Sequence, residues 1–298
     1  MDWLWSSRSP NVSVEDRLSI RPGFAATVSP RQDFGWAPQL TLHTRVSPKW
    51  SLWASVGRGF RIPDLWELYG DRGNSVGNPD LIPESGFRSD LGTQLQVAPP
   101  TDHRLDAALV AFYKRDQNRI IYIQNATSTM VPVNFGESRS YGLESSVSWS
   151  WRETVTLQGQ MTLTWTENLD TRPSLYKNQL PRVPLASSTV NLVLRPLETL
   201  RIGLGTSHTA GNFWDATNWY LSPPRHVHNG WIRWSPHSGP LHIEFSVLNL
   251  ADTLMADAPI DPLQPQLGTG PYPLVDFSGY PLPGRTAMLQ LSWQANTK

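Results

Sequence analysis

From Thr154 to Thr166 the chain reads TVTLQGQMTLTWT, with apolar residues at alternate positions. Val155, Leu157, Met161, Leu163 and Trp165 hold the odd positions, and Thr154, Thr156, Gln158, Gln160, Thr162, Thr164 and Thr166 the even ones. Successive strand side chains point to opposite faces, so this stretch has one apolar and one wholly polar face. The period recurs in Leu143, Val147, Trp149 and Trp151; in Leu105, Ala107, Leu109, Ala111 and Tyr113; in Leu241, Ile243, Phe245 and Val247; and in Ala287, Leu289, Leu291 and Trp293. Such segments run to about ten residues or more, past the mode of about 5–6 for soluble sheets. A membrane barrel needs strands of about 9–11 residues, apolar toward lipid and polar toward the lumen, with aromatic rings at both interfaces. Trp149, Trp151, Trp165, Trp231, Trp234 and Trp293 stand near the ends of these segments, where such girdles belong.

The pattern predicts about twelve strands, over residues 17–28, 36–46, 49–58, 86–97, 104–117, 139–151, 153–166, 185–195, 199–210, 225–235, 240–250 and 285–295. After the first strand the links alternate in length. Short turns fall at Ser47–Pro48, Ala98–His103, Arg152, Pro196–Glu198 and Ser235–Gly239. Longer loops fall at 59–85, 118–138, 167–184, 211–224 and 251–284. Short periplasmic turns against long outer loops are what an antiparallel up-and-down outer-membrane barrel requires. The expected fold class is all-β, with residues 1–16 an irregular segment and 17–298 the barrel portion.

Composition removes several alternatives. Lys+Arg and Asp+Glu are 25 each, so the basic excess of a nucleic-acid-binding surface is missing. There is no cysteine, which excludes disulfides, thiolate zinc sites and cysteine nucleophiles. No apolar run reaches the 18 or so residues of a membrane-spanning helix. The opening MDWLWSSRSPNVSVED lacks the basic start and apolar core of a signal peptide.

Charge crowds one loop: Arg58, Arg61, Asp64, Glu67, Asp71, Arg72, Asp80 and Glu84 lie within GRGFRIPDLWELYGDRGNSVGNPDLIPES, Gly57 to Ser85. Paired carboxylates can serve acid–base chemistry, but mixed charge at a polar mouth reads as a salt-bridge network. The glycines of Gly70–Gly77 lack the following Lys-Ser/Thr of a phosphate loop. Pro63, Pro79 and Pro83 argue for a rigid connection, because proline fixes φ and restricts its predecessor. His226 and His228 share a strand face, yet no third metal ligand is evident nearby, so no metal or cofactor is expected. NFWDATNWY, Asn212 to Tyr220, offers Phe213, Trp214, Trp219 and Tyr220 either for stacking on a ligand or for anchoring and loop contacts.

The motifs resemble those of TonB-dependent outer-membrane receptors. SLWASVGRGFRIPDLWELYGDRGNSVGNPDLIPES is similar to the family's Gly-Phe-Arg-x-Pro-x-Leu-x-Glu-Leu-Tyr sequence followed by Gly-Asn-Pro-x-Leu-x-Pro-Glu. NFGESRSYGLESSVSWSW, LPRVPLASSTVNLVL, FSVLNLADTLMADAP and GYPLPGRTAMLQLSW follow in the family's order. The resemblance marks Arg61, Pro63, Leu65, Glu67, Tyr69, Asn78, Pro79, Pro83, Glu84, Asn249, Pro283, Gly284 and Arg285 as motif positions expected to shape the scaffold. It implies a 22-stranded barrel around an N-terminal plug, importing a scarce nutrient such as a ferric siderophore or a cobalamin-like ligand. Energy would come from the TonB complex through that plug, in the outer membrane of a Gram-negative bacterium, with outer-membrane lipid as the other partner. With about twelve strands and no plug, the chain resembles the C-terminal part of such a barrel, not transport-competent by itself. It runs on to Lys298 beyond Trp293, whereas family chains often end on an aromatic residue. A self-contained passive pore of about twelve strands and a soluble carbohydrate-binding or hydrolytic β protein are the competing readings.

Overall fold

The computed structural model describes residues 12–14, 17–28, 34–98, 102–124, 129–236, 240–259, 268–273 and 283–293. The first elements are β1 (Val12–Val14), β2 (Leu18–Val28), β3 (Phe34–Ser47), β4 (Trp50–Arg61), α1 (Leu65–Tyr69), β5 (Asp71–Arg72) and β6 (Ser75–Val76). Then come β7 (Glu84–Val97), β8 (His103–Gln124), β9 (Met130–Trp151), β10 (Val155–Asn168), β11 (Ala186–Leu197) and β12 (Leu200–Ala210). The chain continues with β13 (Asn212–Phe213), β14 (Leu221–Ser222), β15 (Arg225–Trp234), β16 (Leu241–Leu248), β17 (Met255–Pro259), β18 (Thr269–Pro273) and β19 (Thr286–Trp293). The long strands hydrogen-bond in chain order, β1-β2-β3-β4-β7-β8-β9-β10-β11-β12-β15-β16-β19, an up-and-down arrangement. β13 pairs with β14 and β17 with β18 as small loop hairpins.

All twelve predicted strands are present. β1, inside the segment expected to be irregular, adds a short thirteenth to the path. Tight links join β3 to β4, β9 to β10 and β11 to β12, where short turns are predicted. The expected loop 118–138 is different: β8 and β9 are 22 residues each and occupy most of it. Asn118, which reads as a turn former, takes φ 56° while β8 continues past it. Of the expected turns and loops, residues 29–33, 99–101, 125–128, 237–239, 260–267 and 274–282 lie outside the described residues, as do 1–11, 15–16 and 294–298.

The chain divides into two compact units, residues 1–93 with 110–142 and 165–178, and residues 94–109 with 143–164 and 179–298. In the first, aromatic rings on neighbouring strands meet: Phe87 and Tyr113 with centroids 6.3 Å apart, Tyr141 and Trp165 stacked at 6.0 Å. Two residues further along the same strand faces the chemistry changes to charge. Arg115 on β8 pairs with Glu137 on β9, and Arg139 Nη2 reaches Glu167 Oε2 on β10 at 2.6 Å. Tyr113, Tyr141 and Trp165 therefore mark where the apolar face ends. At about 3.3 Å per residue a 22-residue strand reaches about 70 Å, more than twice the about 30 Å that a hydrocarbon core would cover, so β8 and β9 extend well past their apolar faces. That is why residues 118–124 and 130–138 are ladder rather than loop.

In the second unit the register lines up one apolar face, Leu200 opposite Trp234, Ile202 opposite Ile232, Ile232 opposite Phe245 and Phe245 opposite Leu289. The other face carries Arg201, Arg233, Glu244 and Gln290 in lateral register. Arg233 Nε donates to Glu244 Oε2 at 2.7 Å, and these side chains line a cavity of about 460 Å³ with His242 and Ser235. Trp231, grouped by sequence with the interfacial tryptophans, lies on this polar face; it fills the space a Cβ would need at Gly203. Adjacent strand residues point opposite ways, so Trp231 and Trp234 cannot share a girdle.

Buried apolar side chains are few. Among the described residues Leu68, Leu81 and Leu175 are the buried hydrophobics, and all three sit in loops rather than on the long strands. Large exposed residues such as Phe34, Leu91, Met161, Leu204, Leu289 and Leu291 line the strands instead. Contiguous apolar exposure on this scale is uncommon on a water-facing surface and calls for an apolar partner.

Candidate functional site

The loop between β4 and β7 is organised by side-chain chemistry. Asp64 and Glu67 form a reciprocal capping box on α1: the Glu67 amide donates to Asp64 Oδ1 at 2.7 Å and the Asp64 amide to Glu67 Oε2 at 2.9 Å. Arg61 Nη1 donates to both Glu67 oxygens at 3.0 and 2.8 Å, and its Nη2 to Glu84 Oε1 at 2.8 Å. One guanidinium fork thereby ties the end of β4, the helix and the start of β7. Glu84 Oε1 also accepts from the Ile120 amide at 2.6 Å. Burial pushes the Glu84 carboxyl up, but Arg61 and the Ile120 amide together hold it below its ordinary value.

Two asparagines carry the loop onto strand backbone. The Asn78 amide donates to Glu67 O at 2.8 Å and its Nδ2 to Pro132 O at 3.0 Å. Asn134 Oδ1 accepts from the Ile82 amide, and its Nδ2 donates to Ile82 O and Asn118 O, all at 2.8 Å. Leu68, Leu81 and Pro132 are buried. Pro63 is buried and Pro83 half-buried, whereas Pro79 is exposed. Leu65 (71% exposed) and Tyr69 (58%) lie on one side of α1 by their i, i+4 spacing and face outward with Trp66. Of the remaining loop charges, Arg58 sits over the Trp36 ring at 4.8 Å, and Asp71 and Arg72 form β5.

The aromatic candidates in NFWDATNWY stand on the β13–β14 hairpin. Asp215 organises it: Oδ1 accepts from the Tyr220 amide at 2.7 Å, and Oδ2 from the Thr217 and Trp219 amides at 3.1 and 3.2 Å and from the Thr217 hydroxyl. Burial raises the Asp215 carboxyl, and these donors more than reverse that, leaving it below its ordinary value. Asn218, at φ 59°, exchanges two bonds with the Gln179 backbone at 2.6 and 2.9 Å. Trp214 N donates to Tyr220 O at 2.9 Å, which sets these two residues across from each other. Trp219 and Tyr220 are about half exposed, while Phe213 and Trp214 are more covered. Asp215, Asn218 and Gln179 escaped the sequence reading, although Asp215-x-Thr217 is a readable Asx-turn signal.

The approach to the last strand is a third clamp. Asn249, 4% exposed and at φ 50°, accepts from the Thr253 amide at 3.0 Å and donates to Thr253 O and Pro283 O at 3.1 and 3.3 Å. Asp252 Oδ1 accepts from the Arg285 amide at 2.7 Å, and a Cβ at Gly284 would meet that same oxygen at 3.2 Å. Asparagine and aspartate tolerate the left-handed conformation that this corner uses.

Long antiparallel strands, apolar on one face and polar on the other and joined in chain order, are the pattern of an outer-membrane β-barrel protein. The family profile described as TonB dependent receptor-like, beta-barrel matches residues 6–296, and the chain belongs to that family. The iron-regulated outer membrane virulence protein of Vibrio cholerae serotype O1 is 28% identical over 197 residues, 57% of this chain and 29% of that protein. A mutant of the ferric enterobactin receptor PfeA from Pseudomonas aeruginosa superposes with a TM-score of 0.70 at 17% identity, over 94% of this chain and 43% of that one. The siderophore receptor PirA from Acinetobacter baumannii gives 0.70 at 15% identity, over 95% and 44%. The chain thus spans under a third of the Vibrio relative and under half of these solved structures. Family membership, with the Vibrio relative, implies the outer membrane of a Gram-negative cell.

Proposed function

We propose that this chain supplies the C-terminal part of the barrel of a receptor that takes up a scarce nutrient, with a ferric siderophore as the best-supported ligand class. Coupling to the TonB complex would run through a plug domain, and outer-membrane lipid would surround the strands. The observation that carries this reading is the family profile's match across residues 6–296, on a chain whose long strands pair in sequence order. In support, the relatives named above are receptors for iron chelates or are iron-regulated. The motif residues Arg61, Glu67, Asn78, Glu84 and Asn249 act in this reading as scaffold. Trp219 and Tyr220 act as the ligand-facing rings, with Phe213 and Trp214 supporting them.

The test is uptake of radiolabelled iron by iron-starved cells, offered on catecholate, hydroxamate or citrate chelators. Cells with and without the gene are compared. Loss of uptake for one chelator class on gene removal, restored by the gene, is the expected result. Equal uptake of all three, with altered leakage of small solutes, would contradict a receptor and favour a passive pore.

A further inference from the structure

Across β12 and β15 the register sets His208 opposite His226 and Thr206 opposite His228. By parity these positions continue the apolar face of Ile202, Leu204, Gly230 and Ile232, just past its last apolar pair. His226 and His228 are exposed. The His208 and His226 rings stack with centroids 4.2 Å apart and 25° between planes, and their Nδ1 atoms are 3.1 Å apart. The sequence suggests His226 with His228 as the metal pair to weigh; the fold replaces that spacing with a cross-strand pair.

We propose that His208 and His226 form a two-imidazole site for a divalent first-row transition-metal ion on the outer surface of the strands. With metal–nitrogen bonds of about 2.0–2.1 Å, two nitrogens 3.1 Å apart subtend about 98° at an ion; each lone pair lies in its ring plane, so binding turns both rings about their Cβ–Cγ bonds out of the 25° stack. Regular pairs on both sides, Ser207 with Val227 and Thr209 with Arg225, hold the two backbones in place, so little chain ordering accompanies chelation. Ser188 lies opposite His208 on β11, so weaker oxygen donors and water complete the shell. Among the described residues no cluster of three His, Cys, Asp or Glu surrounds an ion, and the site keeps open positions. Two neutral imidazoles without a carboxylate favour copper(II) over nickel(II) and zinc(II), in the Irving–Williams order.

The test is a copper(II) titration of the full chain folded in detergent, read by equilibrium dialysis and by electron paramagnetic resonance. One ion per chain with hyperfine coupling to two nitrogens is expected, with nickel(II) and zinc(II) weaker. His208→Gln and His226→Gln should each weaken binding by at least the about 10- to 100-fold that loss of a supporting partner costs, and His228→Gln by less. Circular dichroism establishes that each variant keeps its sheet. In the unaltered chain, substoichiometric copper should broaden the His208 and His226 imidazole resonances first. Binding that survives His208→Gln, that depends more on His228, or that broadens all seven histidines alike overturns the proposal.

Discussion

The loop between β4 and β7 and the β13–β14 hairpin are both polar connections, yet they are ordered by different means. The first spreads its bonds widely: one arginine joins two carboxylates, two asparagines grip distant strand backbone, and Leu68 and Leu81 are buried beneath. The hairpin concentrates them: Asp215 gathers the amides of its own turn, and Trp219 and Tyr220 stay exposed. A connection tied to several strands is suited to hold a scaffold. One tied mainly to itself leaves rings available, and its opening is locally cheap. The two regions are therefore expected to respond differently to the same kinds of change.

Leu81→Ala should have the largest effect. Leu81 is 2% exposed, so its truncation should lower the local opening free energy of the β4–β7 loop by about 2–5 kcal/mol. Amide hydrogen exchange at Asn78 and Ile82 reports that loss, while Trp219 and Tyr220 should be unaffected. Next comes Glu67→Ala, which removes a capping-box partner and both Arg61 bonds. Because Arg61 is 43% exposed and screened, about 2–3 kcal/mol is expected, read at the Leu68 and Asn78 amides.

Asp215→Asn should cost the hairpin about 1–2 kcal/mol, seen as faster exchange at Thr217 and Tyr220. Acid should mimic it. A carboxylate with a depressed folded pKa contributes stability above its unfolded value, about 3.9 for aspartate, and loses it as pH falls through the folded value. The hairpin should accordingly loosen only below about pH 4, and Asp215→Asn should abolish that dependence. The smallest structural effect belongs to Trp219→Ala, within about 0.5 kcal/mol on folding. If its ring stacks on the ligand, the same change should weaken chelate binding by about tenfold, the equivalent of about 1.4 kcal/mol. Unchanged binding in Trp219→Ala and Tyr220→Ala together would remove the ligand role from the hairpin.

Much of this was legible from residues alone, for reasons that particular positions make clear. Strand faces follow from a two-residue period, so Val155 to Trp165 could be read directly. The same rule faltered on β8, where the face that carries Leu105 to Tyr113 switches to Arg115, Gln117 and Arg119 on leaving lipid, and Asn118 imitates a turn. Arg61 and Glu67, six positions apart, both fell within the loop that reads as a salt-bridge network. The Asn78 bond to Pro132 spans 54 positions and depends on β9 starting as early as Met130, which local sequence does not encode. Leu65 and Tyr69 were marked by motif, but neither is buried in the loop. His208 and His226 could meet only once the β12–β15 register was known.

The most direct test of the account uses the absence of cysteine from the chain. Single cysteines placed from 155 to 167 on β10 and spin-labelled in bilayers give, at each position, accessibility to oxygen in lipid and to a water-soluble nickel complex. The account predicts strict alternation, with Val155, Leu157, Met161, Leu163 and Trp165 lipid-exposed, Thr156, Gln158, Gln160, Thr162 and Thr164 water-exposed, and a change to water at Glu167. Uniform water accessibility along β10, or an apolar face still in lipid at Glu167, would contradict it.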